Sequence, residues 1–177
     1  MRQCSRDSTA PISSCATGAV PKGVERRMEN VWEYPRPPRL EATSRRLQVV
    51  REGEVMAETT RARRVLETSH PPTYYFPPED VRLDLLTPSE ARDTLCEWKG
   101  GAEYLDLGDL RRIAWRYPRA APEFAAIEGW IAFYARAPLV ATVDAERAEP
   151  QPGEFYGGWI TPDLIGPFKG SPGTLGW

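Results

Sequence analysis

The chain has 177 residues, 41% hydrophobic and 27% charged, with 23 Lys and Arg against 25 Asp and Glu for a formal net charge of −2. A chain of this length buries one substantial core, and so balanced a charge supplies no global field to draw it to nucleic acid or anionic lipid. The 18 Pro and 14 Gly argue against long helices; one His and three Cys (Cys4, Cys15, Cys96) without a C-x-x-C pair argue against a disulfide framework and a closed zinc knuckle.

Residues 1–27 are rich in Ser, Thr, Arg and small residues without an apolar period, and are read as a disordered extension that cannot offset its ordering entropy. No stretch approaches the roughly 20 apolar residues of a membrane span, and the first 27 lack the apolar centre of a signal peptide, so the expected setting is cytoplasmic. Met28 opens the aromatic-rich run Met-Glu-Asn-Val-Trp-Glu-Tyr-Pro and is read as an alternative start of translation. Pro35, Pro37 and Pro38 keep the next segment extended.

From Arg46 the pattern is β-like. Leu47 and Val49 share one face, Glu52-Gly53 is a turn, and Val55 and Ala57 alternate with Glu54 and Glu58, which predicts a hairpin. Arg64–Thr68 extends the sheet, His70-Pro71-Pro72 breaks it, and Thr73–Phe76 is an aromatic strand stopped by Pro77-Pro78. A turn at 88–90 leads to Thr94, Cys96 and Trp98 alternating with Leu95, Glu97 and Lys99; Gly100-Gly101 then starts a strand with Glu103, Leu105 and Leu107 opposite Tyr104 and Asp106. The clearest alternation puts Ile113, Trp115 and Tyr117 on one face and Arg112, Ala114 and Arg116 on the other, a half-buried antiparallel strand. Pro122–Ile127 is read as a helical turn, and Trp130–Tyr134 and Leu139–Val143 as the last strands. Residues 28–149 thus read as one β domain, and the Gly-, Pro- and aromatic-rich residues 150–177 as an irregular strap packed on it.

The segments Thr-Ser-His-Pro-Pro-Thr-Tyr-Tyr-Phe-Pro-Pro-Glu-Asp-Val at 68–81, Cys-Glu-Trp-Lys-Gly at 96–100, Ala-Trp-Arg-Tyr-Pro at 114–118 and Gly-Trp-Ile-Ala-Phe-Tyr at 129–134 resemble, in order and spacing over residues 31–177, the bacterial family called domain of unknown function 427. The resemblance implies an all-β, Mss4-like β-tent, in which two antiparallel sheets splay from a shared edge, as in methionine sulfoxide reductase B and the thalidomide-binding domain of cereblon. Those relatives commonly hold zinc on two C-x-x-C knuckles; neither knuckle occurs here, so no zinc and no other cofactor is expected. The family sometimes carries a nucleotidyltransferase label.

Candidate chemistry falls into five groups. Tyr74, Tyr75, Trp98, Tyr104, Trp115, Tyr117 and Tyr134, with Lys99, Arg112 and Arg116, read first as a plain core with Tyr hydroxyls at its rim and second as an aromatic pocket with cationic tips. Trp98, Tyr104 and Tyr117 are the better pocket candidates because each lies beside charge or a glycine turn. Cys96, Lys99 and His70 offer a thiol, a cation and a base, although strict alternation sends Cys96 and Lys99 to opposite faces and His70 reads as a turn residue. Glu79, Asp80, Asp84, Asp106 and Asp109 are candidate carboxylates for a divalent ion, but the Gly-Ser turn and Asp-x-Asp of a polymerase-type nucleotidyltransferase are missing. The run from Gly166 to Thr174 lacks the Gly-Lys-Ser/Thr order of a phosphate loop, and the Arg61, Arg63 and Arg64 cluster has Glu58 and Glu67 nearby to neutralise it.

The leading expectation is a binding module holding a small planar or nucleotide-like ligand among Tyr75, Trp98, Tyr104 and Tyr117, with Lys99 and Arg116 meeting an anionic group; no nucleic acid and no membrane are expected as partners. One alternative is a nucleotide- or thiol-directed enzyme using Lys99 with Cys96 and His70, or with Glu79 and Asp80. The other is a protein-interaction domain presenting an apolar patch of Trp159, Phe168 and Trp177. Ligand identity and oligomeric state are not encoded in these patterns.

Overall fold

The computed structural model describes residues 27–174 and 176–177, so Cys4, Cys15, Lys22 and nearly all of the expected 1–27 extension lie outside the described residues. In chain order the strands are β1 (Glu29–Asn30), β2 (Arg39–Ala42), β3 (Leu47–Arg51), β4 (Glu54–Thr59), β5 (Arg63–Leu66), β6 (Thr73–Tyr75), β7 (Leu86–Pro88) and β8 (Thr94–Cys96). They continue with β9 (Gly100–Leu107), β10 (Leu110–Arg116), β11 (Ala132–Phe133), β12 (Leu139–Val143), β13 (Glu146–Arg147), β14 (Glu149–Pro150), β15 (Trp159–Ile160) and β16 (Leu164–Ile165). The helical pieces are 3-10 turns, the longest being Pro122–Ile127, where a helical turn is expected. The fold is all-β.

Three sheets carry the structure: a four-stranded one ordered β13-β12-β3-β4, a three-stranded one ordered β2-β5-β6, and a five-stranded one ordered β11-β10-β9-β7 with β8 also on β9. The β3–β4 hairpin follows from Glu52 and Gly53, whose φ values of 52° and 85° match the twist of a two-residue turn. Its alternation fails beyond that turn. Val49 pairs with Ala57 but Val50 with Val55, leaving Met56 as an extra residue; Met56 is therefore buried beside Ala57, while Val55, expected inside with Ala57, is exposed.

Strand β10 lies over the predicted interval, with Ile113, Trp115 and Tyr117 buried and Arg116 half-exposed. Ala114, assigned to the wet face, is buried as well, because β11 and β9 flank it. The strand expected over Trp130–Tyr134 shrinks to Ala132–Phe133, since Ile131 instead exchanges backbone hydrogen bonds with Phe76 and ties the three-stranded sheet to the five-stranded one. Strands β2 and β7 carry little alternation and were not anticipated; β7 contains Pro88 and accordingly lies at a sheet edge.

The main core runs through all three sheets and includes Leu47, Val49, Tyr74, Phe76, Ile113, Phe133, Leu139 and Trp159. Trp159 reaches it from beyond residue 150, its indole N–H donating to the Phe133 carbonyl at 2.8 Å. Strand β16 pairs in parallel with β1, and β15 with β14.

Candidate functional site

The β8–β9 hairpin turns through Glu97, Trp98 and Lys99, and this turn decides the site. Gly100 has φ 101°, and a Cβ there would lie 3.1 Å from the Arg119 carbonyl, so a residue without a side chain is required. The Lys99 carbonyl accepts from the Ala121 amide at 3.1 Å, which pins the turn to the loop after β10. Lys99 thus leaves the strand pattern. Cys96 and Lys99, sent to opposite faces by alternation, line the same cavity.

That cavity, about 340 Å³, lies between two sheets. Tyr75 and Val65 face it from the three-stranded sheet, Tyr104 and Trp115 from the five-stranded one, and Tyr156 and Gln151 from the strap. Strand β6 splits its aromatics by alternation: Tyr74 packs on Trp159 at 5.3 Å in the core, while Tyr75 turns to the cavity, 6.3 Å from Tyr117 and 6.5 Å from Trp115. Both alternatives for the aromatic group therefore apply to different rings.

The polar groups of the cavity are incompletely satisfied. Among the described residues, the buried Tyr75 hydroxyl and Trp98 indole N–H have no hydrogen-bond partner. Burial pushes the Tyr75 and Tyr117 phenols well above their ordinary range, so both stay protonated. Lys99 is 8% exposed and stacks its ammonium 6.0 Å from the Tyr117 ring centroid and 5.6 Å from that of Phe124. No carboxylate pairs with it among the described residues. Arg36, by contrast, reaches both Glu67 and Glu97, and Lys169 Nζ donates to the Trp177 carbonyl oxygen at 2.7 Å.

His70 closes a turn, its amide donating to the Glu67 carbonyl at 3.0 Å, and its half-buried ring also lines this cavity. Gln151 Nε2 donates to the Lys169 carbonyl at 2.8 Å, and its Oε1 accepts from the Gly158 amide at 3.1 Å, which fixes the orientation of the amide. The 2.9 Å contact from Gln151 Nε2 to His70 Nδ1 is then a donation to the ring, so the imidazole proton sits on Nε2. Burial, reinforced by the charges of Lys169, Lys99 and Arg36, pushes the His70 pKa down to about 4.

Of the residues expected to bind ligand, Tyr75, Trp98, Lys99, Tyr104 and Tyr117 come together here, with the weak catalytic candidates Cys96 and His70. Arg116 does not: it stands opposite Glu103 across β9 and β10 and bonds it at 3.2 Å. Glu79 and Asp80 are elsewhere too, Asp80 accepting from Thr59 at 2.6 Å and from Arg61 at 2.9 Å and Glu79 pairing with Arg61, so neither is available to Lys99. The Arg61–Arg64 cluster is neutralised by different carboxylates from those expected: Arg64 pairs with Glu29 and Glu41, while Glu58 serves Arg46 and Glu67 serves Arg36. The patch of Trp159, Phe168 and Trp177 does not form, because Trp159 is fully buried. Gln151, Tyr156 and Lys169 were missed as wall residues, since the strap has no periodicity; the rarity of Lys was the one available signal.

A family model described as domain of unknown function (DUF427) matches residues 39–149, more than half of the chain. The chain belongs to this family. A search of the curated proteins found no match. The matched DUF427 segment supplies both sheet walls of the cavity and its Cys96–Lys99 rim, whereas Arg36, Gln151, Tyr156 and Lys169 lie outside it. The family model's short name carries a nucleotidyl-transfer label. Among the described residues no group of three or more His, Cys, Asp or Glu side chains is arranged to hold a metal ion.

Proposed function

We propose that this DUF427 domain is a binding module for a small, planar, anionic ligand of nucleotide type, held in the cavity between the sheets. One observation carries the reading: among the described residues, the Lys99 ammonium has no carboxylate partner and the buried Tyr75 hydroxyl and Trp98 indole N–H have no hydrogen-bond partner, and all three side chains border one 340 Å³ space. Buried polar groups are ordinarily satisfied, and a concave aromatic site with a few unmet polar tips is the usual form of a small-molecule pocket. The rings of Tyr104, Trp115 and Tyr117 offer stacking surface, and Lys99 offers the contact for the anion. A β-tent arrangement goes with this reading, supported by the Phe76–Ile131 bridge, which joins the two sheets that contribute Tyr75, Tyr104 and Trp115 to the cavity lining. We take a cytoplasmic setting as part of it; no described helix is long and apolar enough to cross a membrane.

Native mass spectrometry of gently purified protein and a thermal-shift panel of mononucleotides test the proposal. At least one ligand is expected to raise the midpoint, and Lys99→Met to weaken that ligand by about tenfold, the loss of one charge-assisted contact. A midpoint unmoved by every nucleotide, and equally indifferent in Tyr104→Ala, would end it.

A second reading, thiol-directed chemistry, is favoured by the shared cavity of Cys96, His70 and Lys99. Selective alkylation of Cys96 by iodoacetamide at neutral pH, slowed by the nucleotide found above, supports it; a Cys96 that reacts only after unfolding does not.

A further inference from the structure

The β9–β10 hairpin builds a second recess, which shares only Tyr134 with the cavity. Leu110 opposes Leu107 but Ala114 opposes Leu105, so Arg111, Arg112 and Ile113 together face the single residue Asp106. Bulges re-aim side chains and are over-represented beside active sites. Arg112 takes φ 50°, a left-handed conformation unfavourable for a residue with a Cβ. Asp106, 1% exposed, holds the bulge by accepting from the Arg112 amide at 2.8 Å and from Arg111 Nη1 at 2.6 Å.

The resulting recess, about 190 Å³, is lined by Arg111, Arg112, Tyr134, Arg136 and Glu154. The Arg112 guanidinium lies 4.1 Å from the Tyr104 ring centroid and that of Arg136 lies 4.8 Å from the Tyr134 centroid, so both planes are held by rings. Arg136 Nη2 also donates to the carbonyls of Arg111 and Arg112 at 3.2 and 3.1 Å. Among the described residues no carboxylate pairs with Arg112 or Arg136, and Arg112 Nε is buried without an acceptor. Arg45, Arg64 and Arg82, by contrast, are each tied to two carboxylates. Glu154 borders the recess without reaching ion-pair distance of either guanidinium. Two pre-set guanidinium forks of the same sign repel unless an oxyanion lies between them, and a fork is the geometry that recognises phosphate.

We propose that this recess binds a phosphate-type oxyanion, free or as the head of a small organic phosphate, through Arg112 and Arg136. The recess shares Tyr134 with the aromatic cavity, and Tyr104 of that cavity backs Arg112, but the two anion contacts, Arg112 and Arg136, line the recess and not the cavity. Isothermal titration calorimetry of the full chain with inorganic phosphate and, in parallel, with glucose 6-phosphate tests it at matched ionic strength. Saturable binding of at least one is expected; binding of both assigns the free anion, and of the ester alone an organic phosphate. Arg112→Met and Arg136→Met each weaken it about tenfold, and Arg116→Met, paired with Glu103 outside the recess, leaves it unchanged. Glu154→Gln, which removes a repelling charge without touching the folded framework, tightens it about threefold. Absence of saturable binding, binding undiminished in both arginine variants, or weaker binding in Glu154→Gln would overturn the proposal.

Discussion

Replacing Gly157 by Ala places a methyl group inside the Trp115 indole. The new Cβ would lie 2.7 Å from Cζ3 and 3.0 Å from Cζ2, and closer still to Cη2, where carbon atoms settle at roughly 3.5–4.0 Å. Neither side can yield easily. Trp115 is wedged against Tyr134, centroid to centroid 4.6 Å, and the strap is clamped where Gly158 donates to Gln151 Oε1 and accepts from the Gln151 amide at 3.0 Å. Overpacking of this kind costs about 1–3 kcal/mol, offset by about 0.5 kcal/mol from the stiffer unfolded chain, so the net loss is about 1.5 kcal/mol or ~3–6 °C in Tm. Gly101→Ala is the control, since its Cβ meets nothing within 4 Å and its φ is ordinary. Urea unfolding followed by tryptophan fluorescence compares the two. Equal stability of Gly157→Ala and Gly101→Ala would show that the strap does not press on Trp115 and that the cavity lacks this wall.

Tyr75→Phe removes a buried hydroxyl that has no hydrogen-bond partner among the described residues, so the unliganded protein is expected to be unchanged or more stable by about 1 kcal/mol while nucleotide affinity falls; denaturation and thermal shift read the two effects separately. His70 is the single histidine, so one imidazole resonance reports on it, with a titration midpoint near 4 instead of the ordinary 6.5. Its folded pKa is depressed, so the unfolded chain binds the proton first. Stability falls as pH drops from about 6.5 to about 4, by at most about 3 kcal/mol, and His70→Asn, which keeps an acceptor for Gln151, flattens that window in urea midpoints. Although burial opposes it, interactions with Ser89, the Arg112 amide and Arg111 hold the Asp106 carboxyl below its usual range; Asp106→Asn weakens these and is expected to lower stability by about 2 kcal/mol in the same assay and to abolish phosphate binding in calorimetry.

Period-two burial and turn chemistry were legible in the residues because both act over neighbours in sequence. Ile113, Trp115 and Tyr117 needed only alternation, and Glu52-Gly53 only the left-handed preference of a two-residue turn. Five of the six residues expected to bind ligand line one cavity, and the same local logic had singled them out, as aromatics and a rare lysine beside turns. What alternation could not reach was any position where pairing across strands adds or removes a residue. The extra Met56 exposed Val55, and the Glu97–Lys99 turn brought Lys99 round to the side of Cys96. The bulge over Asp106 put Arg111 and Arg112 at a recess, and cross-strand register gave Arg116 to Glu103. The closing wall of Gln151, Tyr156 and Lys169 likewise depends on contacts made about 80 residues apart in sequence, as between Gln151 and His70. The amino-acid sequence by itself thus determined the longer alternating strands, the all-β class and the chemistry available. Register and strap packing, set by long-range burial and hydrogen bonding, decided which of those side chains share a cavity and which are spent on ion pairs.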